Sequence, residues 1–379
     1  MRRSFSTLAR FFCLLAVSAQ LCGCAGGVGF GLGPAKLPPT RIDYNLAIQQ
    51  SNNEEMLLNL VRMKYFEQPL FLQVGSVASS FSYNLSGGVG ATLPEHHSIA
   101  NGAYNIYSPT VAGQYSDSPT VTYTAYQGQA YAQQFLADMD FDRFVTLYKA
   151  GWDISYLMPI LFARFGTIDH TYDSRKGFMP EHHARFLKLT DMMKRIDNRG
   201  DLDILKVGLN DNATATVMRM DFADEAEAET VQHLIGYHLD IQRTATGRFH
   251  TTFKVVPANM LRNVGREADG LPIVPLRLRN CLRAIDYIGQ GIAVPKEQAA
   301  SGRAVDLRGQ FSGLCAILES REEPKNAYVS IRHDGLWFYI RADDNRSKEV
   351  FQLLMNIFSL QSADPPKNAP VLTLPVGGS

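Results

Sequence analysis

Apolar and polar residues alternate over one long stretch of the chain, from Val77 to Leu93. Its odd-numbered positions are mainly apolar, and its even-numbered positions are mainly Ser, Gly, Asn and Thr. This period of two predicts a β-strand with one apolar and one polar face. Fully extended, the strand would reach about 55 Å at about 3.3 Å per residue. Strands of globular proteins usually have about 3–10 residues, so this one is unusually long.

A second stretch, Tyr104–Tyr123, is rich in Tyr, Ser and Thr and follows a polar tip at Pro94–Gly102. One interpretation is a long hairpin that contributes strands to an oligomeric outer-membrane pore, with its apolar face outward. The other is a long hairpin or extended surface loop that packs on the domain or on a neighbour. Pro109 and Pro119 interrupt the second stretch and favour the surface interpretation.

The rest of the chain predicts an α+β protein in two parts. Residues 41–200 form a mainly helical region, interrupted by the hairpin or loop at 75–124; its helices are expected at Tyr44–Tyr65, Gln127–Phe165 and Pro180–Arg199. Residues 201–379 form an α+β domain with the order strand, strand, helix, strand twice over. The predicted elements are Leu202–Leu209, Ala215–Phe222, Glu225–Ile235 and Arg248–Val256, then Ala327–His333, Leu336–Ile340, Asn345–Leu360 and Val371–Leu374.

The first 23 residues have the pattern of a bacterial lipoprotein signal peptide. Arginines precede a short apolar stretch, Phe11–Ala19, which spans only about 14 Å of helix against about 30 Å of bilayer core. The residues Leu21-Cys22-Gly23-Cys24 then resemble a lipobox. Ordinary secretion, with an incidental Cys24, is the alternative.

Lipidation of Cys24 would anchor the protein without a spanning helix, because two or more acyl chains (palmitate among them) hold a protein on a membrane. Residues 24–40 are rich in Gly and Pro and predict a flexible tether. Ala25 after the cysteine is similar to the outer-membrane sorting pattern of lipoproteins. We therefore expect a cell-envelope protein, lipid-anchored in the outer membrane and facing the periplasm.

Composition and charge limit the kinds of partner that the protein is expected to bind. The chain has 37 basic and 37 acidic residues, so no basic excess indicates nucleic acid. A hydrophobic fraction of 45% allows a packed core. With Cys24 acylated and two cysteines removed with the signal, Cys281 and Cys315 remain. In an oxidising compartment these two could form a disulfide, or they could be two buried thiols.

Candidate catalytic and metal-binding motifs are weak. The chain has no Gly-x-Ser-x-Gly, Walker, Cys-x-x-Cys or His-Glu-x-x-His pattern. The adjacent pairs His96-His97 and His182-His183 are interpreted as surface residues, and no metal or cofactor is predicted. A loosely basic stretch could meet an acidic partner or lipid headgroups, although a solvated face is the simpler interpretation; it contains Arg262, Arg266, Arg277, Arg279 and Arg283.

Several short motifs resemble an uncharacterised family of proteobacterial envelope lipoproteins. They are Tyr44-Asn45, Asn53–Arg62 with Tyr65, Pro119–Tyr123 before Gly128, Gly151-Trp152, Val294-Pro295, Phe358–Gln361 and Pro370–Pro375. The resemblance runs over most of the chain that follows the signal. It implies an envelope lipoprotein without an assigned activity, and it supplies no functional residues.

From the sequence we therefore expect a non-enzymatic interaction or scaffold lipoprotein that binds envelope proteins. The alternative is a ring-forming outer-membrane lipoprotein whose hairpins contribute to a secretion or export pore. Such a ring would make the protein a homo-oligomer.

Overall fold

The computed structural model describes residues 37–92, 106–126, 128–173, 177–210, 213–259, 270–311, 313–361 and 371–375. The chain divides into two compact units, 1–52 and 53–379. The described part of the first unit is helical, and the second unit contains the remaining helices and all the described strands. The α+β class predicted from the sequence is confirmed. The predicted signal peptide, Cys24 and most of the tether lie outside the described residues.

The helices and strands follow one another along the chain. In the first half they are α1 (Leu37–Lys64), β1 (Leu72–Thr92), β2 (Ile106–Ala125), α2 (Gly128–Tyr131) with a π-helical turn (Ala132–Leu136), α3 (Phe141–Lys149), α4 (Ile154–Leu161), β3 (Phe162–Phe165), β4 (Ile168–Asp169), β5 (Tyr172–Asp173), β6 (Gly177–Phe178) and α5 (Pro180–Asn198). In the second half they are β7 (Leu202–Asn210), β8 (Ala213–Phe222), α6 (Glu225–Ile235), β9 (Gln242–Arg243), β10 (Phe249–Pro257), β11 (Ile273–Leu278), α7 (Cys281–Gly289), α8 (Lys296–Ala300), α9 (Arg308–Phe311), β12 (Leu318–Ser320), β13 (Ala327–His333), β14 (Leu336–Arg341), α10 (Asn345–Gln361) and β15 (Val371–Pro375).

Strands β1 and β2 form one long antiparallel hairpin, which we call the ribbon. They have 21 and 20 residues and stay in register from Leu72 opposite Ala125 to Thr92 opposite Ile106, with one irregularity between Val74 and Ser76. Each strand would extend about 65 Å at about 3.3 Å per residue. The alternating stretch is therefore part of a continuous strand, and the prolines of the returning strand do not break the pairing.

The register of the ribbon divides its residues between two faces of different composition. From Ser76 to the tip, odd positions of β1 pair with odd positions of β2, as Val77 does with Val121 and Tyr83 with Tyr115. Even positions there pair with even positions, as Ser82 does with Ser116. Because successive residues of a strand belong to opposite faces, one face has most of the Val, Leu, Phe and Tyr positions and the other is dominated by Ser, Thr and Gly.

Most remaining strands belong to a seven-stranded sheet in the order β4-β3-β11-β10-β8-β7, with β9 paired to β10. All these pairs are antiparallel except β10 with β11. The helix expected to continue to Phe165 ends at Leu161, and β3 enters this sheet. The expected boundary between residues 200 and 201 therefore runs through the sheet, since β3 and β4 precede it.

The C-terminal part contains a small sheet in the order β12-β14-β13. Its tight turn is at Asp334-Gly335, where both residues have a positive φ, 52° and 82°. The strands predicted on either side, Ala327–His333 and Leu336–Ile340, are confirmed, and Asp-Gly suits the two-residue hairpin loop between them. The last strand does not join this sheet as a second strand-strand-helix-strand unit would require. β15 pairs instead with β2 at the base of the ribbon, opposite residues 120–124.

The core lies between the seven-stranded sheet, helices α4 to α7 and helix α10. Its largest fully buried side chains are mostly aromatic: Phe71, Phe135, Phe144, Phe162, Phe165, Phe186, Phe222, Phe253, Phe338 and Phe351. Short polar caps fix where the helices begin. The side chain of Asp153 accepts a hydrogen bond from the Ser155 amide (2.7 Å) at α4, and that of Asn280 accepts one from the Arg283 amide (2.8 Å) at α7.

Candidate functional site

The two cysteines expected as a candidate disulfide are free and buried. The disulfide prediction is wrong for this structure, and the buried-thiol alternative describes it. The two side chains have different neighbours: Cys281 is the first residue of α7, and the Cys315 thiol donates to the Ser347 carbonyl of α10 (3.8 Å). Burial raises the pKa of each thiol to about 12, so both are protonated and poorly nucleophilic at neutral pH.

The two histidines of the pair His182-His183 have different surroundings. His96 and His97 lie outside the described residues. His182 and His183 lie on α5, and only His183 enters a buried network, where its Nδ1 is 3.2 Å from Nε2 of His170. Over the described ranges, no group of three or more His, Cys, Asp or Glu side chains is placed to hold a metal ion.

The centre of that network is Arg279, a buried residue at the end of β11. One guanidinium nitrogen donates to the carbonyls of Pro159 (2.8 Å), Ile160 (3.2 Å) and Phe162 (2.6 Å), and the other donates to the carbonyl of His170 (2.5 Å). No carboxylate forms an ion pair with it in the described part of the chain. Burial lowers the pKa of this arginine to about 10, so it stays charged at neutral pH. The dipoles of these carbonyl groups stabilise the charge of the Arg279 guanidinium.

Two aromatic groups complete the surroundings of Arg279. Its guanidinium carbon lies 4.4 Å from the centre of the Tyr287 ring, a cation–π contact. The second nitrogen also lies 3.2 Å from Nδ1 of His170, and the same Nδ1 lies 3.4 Å from the Phe162 carbonyl. Nδ1 of His170 therefore stands between a guanidinium, which only donates, and a carbonyl, which only accepts. Its other ring nitrogen, Nε2, faces Nδ1 of His183 and joins the two imidazoles.

His170 also lies in a stack of nearly parallel rings. Its ring centre is 3.9 Å from that of Phe186 and 4.6 Å from that of Phe178, with interplanar angles of 3° and 5°. Burial, then the Arg279 charge, then His183 lower the pKa of His170 well below its usual range. Burial also lowers the pKa of His183. This arrangement keeps both imidazoles neutral at pH 7.

Beside this network lies a second buried polar chain. Lys64 donates to the Gln290 side-chain oxygen (3.0 Å), and the Gln290 amide donates to Asp286 (2.8 Å). Burial raises the pKa of Asp286 and lowers that of Lys64 to about 8. The buried Tyr172 hydroxyl interacts with Asp286 and Gln290 of the same polar chain. Burial and the nearby Asp286 raise the pKa of Tyr172 far above its usual range.

Two neighbouring clefts open over these residues. The first, of about 440 Å³, is lined by Asp138, Ala163, Thr171, Tyr172, Arg277, Leu278, Arg279, Asn280 and Arg283. We call it the arginine cleft. The second, of about 470 Å³, shares Thr171, Tyr172 and Arg283 with the first and extends along β5 and β6. Three arginines and one aspartate are among the residues that line the arginine cleft, so its charge favours anions.

The ribbon is the other candidate surface. Among the described elements outside the ribbon, β15 makes extensive contact with it. β15 pairs with β2 near the base of the ribbon, opposite residues 120–124. The free edge of β1 and the outer part of the β2 edge therefore have no strand paired to them within the described ranges. Unpaired edges offer backbone N–H and C=O groups to an added strand.

Sequence reasoning found part of these surfaces. It identified the alternating ribbon strand and Arg277, Arg279 and Arg283 as part of a basic stretch. Arg262 and Arg266 of that stretch lie outside the described residues. His170, Tyr172 and Asp286 were missed, since they are single residues without a spacing pattern and come together only in the folded chain.

Comparisons with known proteins add no relative: no protein-family model, curated protein or solved structure matches this chain. Within the described ranges, the helices are all too short or too polar to cross a bilayer.

Proposed function

We propose that the protein is an outer-membrane-anchored envelope lipoprotein that binds other envelope proteins through the ribbon and has a structural, non-enzymatic role. The observation that carries the proposal is the ribbon itself, a hairpin of two strands of about 20 residues with unlike faces. A two-stranded hairpin is at best marginally stable in water when it is alone. A face with Val, Leu, Phe and Tyr along such a length is explained by a partner that covers it.

The anchor is a separate part of the proposal and rests on the sequence around Cys24. Acyl chains on this residue would hold the protein at the membrane surface, and residues 24–40 would give it reach. Membrane fractionation of the wild-type chain beside Cys24→Ala tests the anchor. Wild type in the membrane and the variant in the soluble fraction are expected; equal distribution of the two would contradict lipid anchoring.

The ribbon is tested by crosslinking and sizing of the full chain in mild detergent. Phe81→Asp with Leu85→Asp places two charges on the apolar face and should abolish partner crosslinks. Ser82→Asp with Asn84→Asp places the same charges on the polar face of the same strand and should preserve them. If both double variants crosslink like the wild type, the ribbon is not the binding element.

A second candidate function is favoured by the length of the ribbon. About 9–11 residues of a tilted strand span a membrane, and each ribbon strand has about twice that number. An apolar face toward lipid and a Ser- and Gly-rich face toward water would suit a ring of copies that forms an export pore. The same sizing experiment separates the two functions: a heat-resistant homo-oligomer that conducts ions in planar bilayers supports the pore, and a monomer with heterologous crosslinks supports the interaction module.

A further inference from the structure

We propose that the arginine cleft is a binding site for a phosphate group, either the phosphodiester of a lipid headgroup or a small soluble phosphate. The proposal is independent of the ribbon and of the anchor. It rests on the cleft of about 440 Å³ and on the arginines that line it, Arg277, Arg279 and Arg283. The guanidinium groups of the exposed Arg277 and Arg283 offer paired N–H donors that match the oxygens of a phosphate. Arg279 adds its charge, because its terminal nitrogens already donate to carbonyls.

Arg279 gives the site a fixed positive charge. It is 5% exposed, and its hydrogen bonds hold it rigidly to the carbonyls of α4 and β3 and to His170. The charged side chains that act most strongly on it are Arg277 and Arg283, which repel it. Like charges are thus gathered around a buried cation that no described carboxylate neutralises. A bound anion would relieve this repulsion in a setting where water screens poorly.

Arg277 and Arg283 supply the adjustable donors. Both are exposed, and the nearest acid to Arg277 is Asp169, at 4.0 Å. The Arg283 guanidinium has no ion pair among the described residues. Between them, Asn280 caps the start of α7 by accepting from the Arg283 amide, and the positive end of the helix dipole adds a weak attraction for anions. The two side chains can therefore close on a ligand without breaking a strong interaction.

The other lining residues define what the ligand can be. Tyr172 is 8% exposed, and its hydroxyl interacts with the buried Asp286, so it bounds the cleft and is not counted among the donors for the ligand. The volume exceeds that of a bare phosphate and lies within the usual range for small-molecule sites. Asp138 is the opposing carboxylate in the wall. Together these features favour a phosphate that carries a small polar organic group.

The test is isothermal titration of the purified full chain in detergent at constant ionic strength. The two probes are inorganic phosphate and glycerophosphoglycerol, the headgroup of phosphatidylglycerol without its acyl chains. The decisive variant is Arg277→Ala with Arg283→Ala, both exposed positions; the single variant Arg283→Gln is used if the double variant unfolds. Arg332→Ala, an exposed arginine of β13 far along the chain, is the matched control.

We expect at least one probe to bind the wild type, with a Kd that rises about tenfold or more in the arginine variant and stays unchanged in Arg332→Ala. Asp138→Asn should tighten binding several-fold by removing the opposing charge. Preference for glycerophosphoglycerol would assign the ligand to lipid headgroups, and preference for inorganic phosphate would assign it to soluble phosphates. Binding of neither probe to the wild type, or equal binding by the arginine variants and the wild type, would overturn the proposal.

Discussion

The ribbon and the seven-stranded sheet are both built largely from antiparallel pairs, yet they are stabilised differently. Strands of the sheet have between 2 and 10 residues, and many of their side chains, such as Val217, Phe253 and Val274, are buried under helices. The ribbon strands are at least twice as long, and among the described elements only β15 pairs with them from outside. The sheet therefore has its own core, whereas the ribbon meets a further described strand only at its base.

Under the proposal that a partner covers the ribbon, the sheet folds on its own and the ribbon is completed by that partner. Cross-strand pairs contribute roughly 0.2–1 kcal/mol each, whereas a fully buried large apolar side chain contributes about 1.5–3 kcal/mol. Substitutions in the sheet and around Arg279 should consequently change the free energy of unfolding. Substitutions in the ribbon should change assembly instead.

The largest expected effect is at Arg279, on the sheet side of the comparison. Arg279→Met removes the charge and leaves the carbonyls of Pro159, Phe162 and His170 without their donors. We expect the free energy of unfolding to fall by about 3–5 kcal/mol, because buried polar groups that lose their partners are costly. Urea denaturation of the full chain measures it. The exposed Arg277→Met should change stability by less than about 0.5 kcal/mol; equal effects would mean that the network is not structural.

The next largest effect on stability is expected where helix α1 contacts the first residue of the ribbon. Glu55 of α1 accepts a hydrogen bond from the Leu72 amide at the start of β1 (2.7 Å), and burial raises its pKa to about 7. A raised pKa stabilises the fold below pH 4.5, and this contribution is lost as the pH rises through 7. Glu55→Gln, which stays neutral and can still accept, should therefore raise the free energy of unfolding at pH 8 by about 1–3 kcal/mol.

The gain from Glu55→Gln should almost disappear at pH 4.5, where Glu55 is protonated in the folded protein and about half protonated in the unfolded chain. Glu229→Gln, at an exposed position of α6, is the control substitution. The free energy of unfolding is measured by urea denaturation at pH 4.5, 6 and 8. A gain of equal size at every pH would show that the pKa of Glu55 is the same in the folded and unfolded protein.

A smaller effect with the opposite sign is expected from His170. Its folded-state pKa is lowered by burial, Arg279 and His183, so the unfolded chain takes up the proton first. Stability should fall as the pH drops below about 6.5, by up to about 1.4 kcal/mol for each pH unit. Because Glu55 acts in the other direction, the comparison is made in the Glu55→Gln background. There His170→Gln should flatten the loss between pH 6.5 and 5, and the exposed His238→Gln should leave it unchanged.

The sequence predicts those features of the fold that depend on neighbouring residues, and it fails for those that depend on contacts between distant segments. Local chemistry was sufficient for the Asp334-Gly335 turn and for α6, whose cap at Asp224 and C-terminal Gly236 are both in the structure. It failed at Phe162–Phe165, since this apolar stretch continues from α4 without a break in pattern. The pairing of β15 with the ribbon depends on contacts between distant segments.

The candidate site shows the same limit. The positions of Arg277, Arg279 and Arg283 suggested a basic stretch, but nothing in the sequence showed that one of them would be buried. Arg279 and His170 are 109 positions apart, and no spacing rule connects them. The cleft arises because β11 brings its arginines beside the loop that follows β4, and this juxtaposition is a property of the sheet order.

The smallest effect on stability is expected in the ribbon, and it tests the comparison most directly. Phe81→Asp with Leu85→Asp should leave the free energy of unfolding, measured by urea denaturation, within about 0.5 kcal/mol of the wild-type value. The reason is that the ribbon adds no strand to the seven-stranded sheet. The same protein should lose its crosslinks. If the double variant instead unfolds the seven-stranded sheet, the ribbon and the sheet form one cooperative unit. Its apolar face would then be explained by intramolecular stability, and the need for an external partner would disappear.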